Sequence, residues 1–238
     1  MSIPSIAVVI PAYRAETSIA AVLEGIPDFV RHVVVVDDAS PDRTGEIAAA
    51  STDPRVKVVV QSENQGVGGA TLRGYDEAIA LGAEIVAKMD SDGQMDPREL
   101  WSIVTPIVDG RADYAKGNRF LHWPELTAMP LRRRIGNAGL SFLTKAASGY
   151  WNVFDPSNGY TAIHAAVIPL LDRRKIDPRF FFESSLLIEL GVARAVVADV
   201  PIPARYGGES SSLSEWNVLA TFPRKLLRGL LRRWTIHY

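Results

Sequence analysis

Residues 85–97 read Ile85-Val-Ala-Lys88-Met-Asp90-Ser91-Asp92-Gly-Gln94-Met-Asp-Pro97, an apolar run that stops on a polar turn. A short run of this kind, bounded by turn residues, is the pattern of a buried strand, so its acids stand at the strand's carboxyl end. The arrangement recurs upstream. Runs at 6–11, 32–37 and 56–61 are rich in β-branched residues, and the first two lead into Pro11-Ala12-Tyr13 and Asp37-Asp38. Between the strands, 17–25, 42–50 and 67–81 have helical spacing; the second opens on Ser40-Pro41-Asp42 and the third closes at Gly82. This alternation predicts βα units and an α/β fold with a mostly parallel sheet flanked by helices. In an open α/β sheet, ligands bind beyond the carboxyl ends of the strands. The ends at 11–13, 37–38 and 90–92 are therefore expected to line one crevice.

Downstream the pattern loosens. A helix is expected over 101–108, a strand at 114–116, a surface loop over 120–130 carrying Trp123, Leu126 and Met129, and a helix from about 131 to 148. A second α/β-like stretch takes in 159–164, a helix at 183–190 and a strand at 195–200. There is no internal repeat or low-complexity linker. Residues 216–238 hold five cations, Arg224, Lys225, Arg228, Arg232 and Arg233, and no acid, so the chain divides into a domain over 1–215 and a basic tail over 216–238. Within 222–234, Pro223 suits a first helical turn. Leu226, Leu227, Leu230, Leu231 and Trp234 follow at spacings of three and four, with Arg224, Arg228 and Arg232 on another face. Gly229 weakens this helix. A docked helix commonly mixes acids into its solvent face, and this one has none, so the segment is expected to lie on an anionic membrane surface.

The 238 residues suffice for one sizeable core, and 47% hydrophobic with 22% charged residues excludes a disordered or collagen-like chain. With 26 Lys and Arg against 27 Asp and Glu, the net charge of −1 gives no global argument for a nucleic-acid partner. There are no cysteines, which excludes disulfides and thiolate metal sites. The amino terminus lacks the basic leader and cleavage site of a signal peptide. No run reaches the roughly 18 apolar residues of a membrane span.

Two carboxylates at i and i+2 on a strand-end turn offer hard oxygen ligands to Mg²⁺ or Mn²⁺, leaving other positions to phosphate and water. Taken alone, the same pair also fits a capping turn. Four blocks in order, Ile6-Ala-Val-Val-Ile-Pro-Ala-Tyr13, Val33-Val-Val-Val-Asp-Asp-Ala-Ser40, Asn64-Gln-Gly-Val-Gly-Gly69 and Met89-Asp-Ser-Asp-Gly-Gln-Met-Asp-Pro97, resemble the family 2 glycosyltransferases of the GT-A fold. The last block, with Lys116-Gly-Asn-Arg119-Phe, Asp155-Pro-Ser-Asn-Gly-Tyr160 and Val200-Pro-Ile-Pro-Ala-Arg205-Tyr, is most similar to the dolichol- or polyprenyl-phosphate sugar synthases. The likeness covers most of 6–213.

The resemblance implies a Rossmann-like GT-A domain and site roles. Pro11, Ala12 and Tyr13 border the nucleotide base, and Asp38 accepts from base or ribose, while Asp37 caps its turn. Glu16 stands in the donor site, although Arg14-Ala15 intervene where the family often has Asn-Glu directly after the Tyr. Gly66, Gly68 and Gly69 permit close backbone approach to the nucleotide sugar. Asp90 and Asp92 hold Mg²⁺ or Mn²⁺ against the diphosphate, flanked by Ser91, and Gln94 orients the reacting groups. Arg119 and Arg205 bind phosphate, for which guanidinium geometry is suited. Asp155 and Ser157 attend the acceptor phosphate. Independently of the resemblance, the charge run Arg132, Arg133 and Arg134 adjoins the apolar loop over 120–130 and reads either as a solvated face or, as expected here, as the place where arginines meet lipid phosphate at a membrane interface. Glu183 lies where many family members carry a catalytic base, but the acidic partner that usually accompanies it is absent.

The implied activity is a metal-dependent inverting transfer of a hexose from a GDP- or UDP-sugar to polyprenyl phosphate, serving cell-envelope glycan assembly. The enzyme would be cytoplasmic, peripheral on the inner membrane face. Two alternatives keep the fold: a glycan-hydroxyl acceptor with Glu183 as general base, and a silent nucleotide-binding or membrane-scaffold protein. The four histidines have no metal-ligand spacing.

Overall fold

The computed structural model describes residues 3–119, 131–203 and 215–237. Seven strands form one sheet: β1 (Ile6–Ala12), β2 (His32–Asp37), β3 (Val56–Val60), β4 (Ile85–Lys88), β5 (Tyr114–Asn118), β6 (Thr161–His164) and β7 (Val197–Pro201), in the order β3-β2-β1-β4-β6-β5-β7. Only β6 runs antiparallel to its neighbours. The helices are α1 (Ile19–Glu24), α2 (Thr44–Ala49), α3 (Gly66–Ala80), α4 (Leu100–Val108), α5 (Leu131–Ser148), α6 (Phe182–Val192) and α7 (Glu215–His237).

Side chains alternate across a strand, so β1 feeds two cores. Ile6, Val8 and Ile10 pack with α1 and α4 on one face, through Ile19, Val22, Ile103 and Val104. Ala7 and Val9 pack with α3 and α6 on the other, through Ala70, Tyr75, Phe182 and Leu186. This explains why β1 reads as an unbroken apolar run: both of its faces are buried. β4 ends at Lys88 rather than running to residue 90, because residues 90–94 turn out of the sheet.

The carboxyl-terminal segment departs from expectation. α7 begins at Glu215, so Pro223 lies inside the helix. Its inward face is docked: Phe222 and Leu226 are buried against Ala147, Phe181 and Ile188, with Phe181 and Phe222 edge to face at 4.9 Å. Gly229 is part of this contact, since a Cβ there would stand 2.6 Å from Ile188 Cδ1. The helix is thus not held off the core as a purely membrane-facing tail. The acids that charge-complement it belong to the domain: Lys225 pairs with Asp177, and Arg232 pairs with the buried Glu189. Arg233 donates to the Ala146 and Ala147 carbonyls at the end of α5. Leu227, Leu231 and Trp234 face outward and are exposed. No described helix is long and apolar enough to cross a membrane.

Candidate active site

The sheet order sets β1 between β2 and β4, so the three polar strand ends lie side by side. Asp38 N–H donates to the Ala12 carbonyl, and Ser18 Oγ donates to the carbonyl of the buried Ser91 at 2.6 Å. Two non-glycine residues just past β1 and β2, Arg14 and Ala39, have φ near +55°, a conformation that side chains rarely adopt. Pro11 and Ala12 are buried, whereas Tyr13 is exposed with the Arg14 guanidinium 5.4 Å from its ring centre.

Beside these ends opens a cleft lined by Asp90, Asp92, Gln94, Arg119 and Ser157 together with Met95, Tyr160 and Ile202. Asp92 is exposed, and its Oδ1 accepts from Gln94 N–H at 2.9 Å. Asp90 N–H donates to Met95 Sδ, and Tyr160 Oη donates to the Asp96 carbonyl, which fixes the turn against the cleft wall. Arg119 is gripped by Asp155: Nε donates to Oδ2 at 2.8 Å and Nη2 to Oδ1 at 3.1 Å. Ser157 Oγ also donates to Asp155 Oδ1. Asp90, Asp92, Gln94, Arg119 and Ser157, from three separated stretches of the sequence, therefore line one cleft.

Several expected roles change. Asp155 is fully buried behind the guanidinium, where it holds Arg119 in place. Asp38 is also buried, but the chain supplies its donors: Gln61 Nε2, Gln65 N–H and Gly66 N–H, each at 2.7 Å. Burial raises its pKa, opposed by those amide bonds. Asp37 Oδ1 accepts from Ser40 N–H, the turn cap expected of it. Gly68 does not offer its amide to an open cleft, because Gly68 and Gly69 N–H both donate to the Pro178 carbonyl. Glu16 Oε2 accepts from Arg43 N–H at the start of α2. Arg205 and the loop over 120–130 lie outside the described residues. Arg132, Arg133 and Arg134 fall in the first turn of α5, and only their backbone is described.

Glu183 stands partly buried in the first turn of α6. Its Oε1 lies 3.5 Å from the Nζ of Lys88, a residue that a search for surface motifs passes over. Lys88 is buried in β4, where it donates to Asp90 Oδ1 at 2.6 Å and to the Gly159 carbonyl at 3.3 Å. Burial disfavours its charge, yet Asp90 and Glu183 more than offset this and hold its pKa above the ordinary value. A second lysine, Lys116 on β5, is fully buried and donates to the Asn158 carbonyl. Burial pushes its pKa down to about 8, against the pull of Glu183 and Asp155. The signal for both was a lysine inside an otherwise apolar strand.

The site's fit to a divalent cation rests on its donor set. Asp90 and Asp92 supply hard carboxylate oxygens, as Mg²⁺ and Mn²⁺ require. Among the described residues no group of three or more His, Cys, Asp or Glu side chains is placed to hold a metal ion. The pair therefore fits a cation whose remaining positions are filled by a ligand such as a diphosphate.

Known proteins bear on this geometry. A UDP-N-acetylglucosamine--dolichyl-phosphate N-acetylglucosaminyltransferase of Methanococcus voltae is 30% identical over 229 residues, covering 90% of each chain. A polyprenol monophosphomannose synthase of Mycolicibacterium smegmatis is 31% identical over 183 residues, 72% of this chain and 66% of that one. Among solved structures, glucosyl-3-phosphoglycerate synthase of Mycobacterium tuberculosis superposes with a TM-score of 0.70 at 23% identity, covering 97% of this chain and 80% of that one, which shows a shared GT-A architecture. With residues 7–169 matching the family described as Glycosyl transferase family 2, the chain belongs to that family, is a glycosyltransferase, and is related to the dolichol-phosphate sugar transferases.

Proposed function

We propose that this glycosyltransferase moves a hexose from a nucleotide sugar to polyprenyl phosphate in a single inverting displacement. The observation that carries this reading is the pair of contrasting groups around the cleft. Arg119 lines it and is held in place by a buried carboxylate, while Glu183 Oε1 lies 3.5 Å from the buried Lys88 ammonium. A phosphate acceptor is already anionic near neutral pH, so it needs a guanidinium to receive it and no base to deprotonate it. A hydroxyl acceptor would need the opposite. The similarity to a dolichyl-phosphate N-acetylglucosaminyltransferase supports the same acceptor class.

In this mechanism Asp90 and Asp92 hold Mg²⁺ or Mn²⁺ against the donor diphosphate, and the ion, when bound, supplies Lewis-acid stabilisation of the departing nucleoside diphosphate. Arg119 receives the acceptor phosphate and orients one of its oxygens toward the anomeric carbon. The new carbon–oxygen bond forms as the bond to the donor phosphate breaks, and that electron pair leaves with the nucleoside diphosphate. Gln94, at the mouth of the turn, orients the sugar. The outward row Leu227, Leu231 and Trp234 of α7, flanked by exposed Arg224 and Arg228, supports work at an anionic bilayer surface.

The deciding experiment offers labelled UDP-N-acetylglucosamine, UDP-glucose and GDP-mannose with Mn²⁺ or Mg²⁺, in the presence of either a short polyprenyl phosphate or a soluble oligosaccharide. Transfer to the lipid phosphate with inverted anomeric configuration is expected. Transfer to the oligosaccharide alone would assign the acceptor to the hydroxyl class, and no transfer to either would remove this reading.

A further inference from the structure

Lys88 reaches three segments of the chain at once. It sits in β4, in register with Val9 of β1 and Thr161 of β6, in the middle of the sheet. Its side chain is 1% exposed, and its ammonium meets Asp90 Oδ1 at 2.6 Å, the Gly159 carbonyl at 3.3 Å and Glu183 Oε1 at 3.5 Å. These acceptors belong to the turn after β4, the segment entering β6 and the first turn of α6. Gly159 leaves just enough room, since a Cβ there would stand 2.6 Å from Lys88 Nζ and 2.8 Å from Asp90 Oδ2. Taking an ammonium this far out of water is costly, and a packed apolar side chain of similar volume serves stability at least as well. What an apolar residue would not do is fix a carboxylate at the mouth of the cleft.

We propose that Lys88 is a positioning residue that pins the Asp90 carboxylate, so that Asp90 and Asp92 take up a divalent cation together with the donor's diphosphate and only weakly without it. The inference rests on the proposed donor chemistry at Asp90 and Asp92. Its physical basis is charge. A fixed positive charge directly behind Asp90 weakens the pull of the two carboxylates on a free cation, and it attracts the diphosphate. Removing that charge therefore acts in opposite directions on the two binding events, whereas mere loosening of the structure weakens both.

The test measures Mn²⁺ binding by electron paramagnetic resonance on the full chain, with Mn²⁺ alone and with Mn²⁺ plus UDP or GDP. Wild type is compared with Lys88→Met and with Lys88→Gln, which keeps a donor for the Gly159 carbonyl. Either variant that retains its thermal transition carries the result. Binding of Mn²⁺ alone is expected to tighten by about tenfold, while nucleotide-dependent binding weakens and kcat falls by about tenfold or more. Unchanged or weaker binding of Mn²⁺ alone in a folded variant overturns the role of Lys88, and so does failure of both variants to fold, which would make Lys88 structural. Asp92→Asn separates the two readings. If wild type shows no nucleotide-dependent Mn²⁺ binding that Asp92→Asn abolishes, the donor-site reading itself fails.

Discussion

The two halves of the sheet bury different chemistry. In β1 and β2 the strand interiors are aliphatic, and the polar groups stand at or beyond the strand ends. β4, β5 and β6 themselves bury Lys88, Lys116, Asn118 and Thr161, three of them at a strand end and all essentially without exposure. The first half gains its stability from non-directional burial, so its strand ends are at liberty to carry chemistry. The second half depends on specific partners for each buried polar group, and leaving one unmatched is expensive. Substitutions at the donor end should therefore change rate with little change in stability, while those beneath Arg119 should change both.

The largest effect is expected from Asp92→Asn. Loss of a charge-stabilising contact costs about 3 kcal/mol of barrier, roughly a hundredfold in rate. Because Asp92 is exposed on a turn, the thermal midpoint should stay where it was. A large fall in that midpoint would break the contrast between this exposed turn and the buried pairs beneath Arg119.

Arg119→Met should fail on both counts. It leaves Asp155 buried without its guanidinium, at a cost of about 2 kcal/mol, below the roughly 3–5 of a fully buried pair because Arg119 is partly solvated. Denaturant unfolding and acceptor-dependent rate read the two losses separately. Adding Asp155→Asn should recover stability but not rate, and recovery of both would mean that Arg119 has no part in binding the acceptor.

α7 permits a sharper comparison within one helix. Leu226→Ala, on the docked face, should cost about 2 kcal/mol of stability by opening a cavity beside Ile188. Replacing the outward Leu227, Leu231 and Trp234 with Gln should leave stability intact and reduce co-sedimentation with anionic vesicles severalfold. Equal sedimentation of that triple variant and wild type would rule out the outward face as the membrane contact.

The smallest effect concerns pH. Folding lowers the pKa of Lys116 from 10.5 to about 8, so between these values the unfolded chain holds more protons than the folded one. Stability contributed at this site therefore rises with pH, by about 1 kcal/mol between about pH 7 and pH 9. In Lys116→Met this component should vanish, so unfolding curves of the two proteins across that range should diverge in favour of wild type as pH rises.

The sequence alone determined the elements and the chemistry of the strand ends. β-branched runs, helical spacing and caps are short-range properties, and they sufficed to place six of the seven strands within a few residues, while the grouping of Asp90, Asp92, Gln94 and Arg119 rested on the resemblance to a family. Tertiary structure alone decided the rest. That β6 runs against its neighbours, that Asp155 faces Arg119 across 36 residues, and that Glu183 turns to Lys88 depend on which segments meet, and no local pattern encodes a partner so distant. The docking of α7 has the same origin. Past Glu215 its composition, basic and without acids, reads as that of a helix for an anionic membrane, but it fits an anionic protein face as well. Asp177 and Glu189, carried on the far side of the contact, settle its inward face in favour of the protein. Charge complementarity is a property of two surfaces, and a single segment displays only one of them.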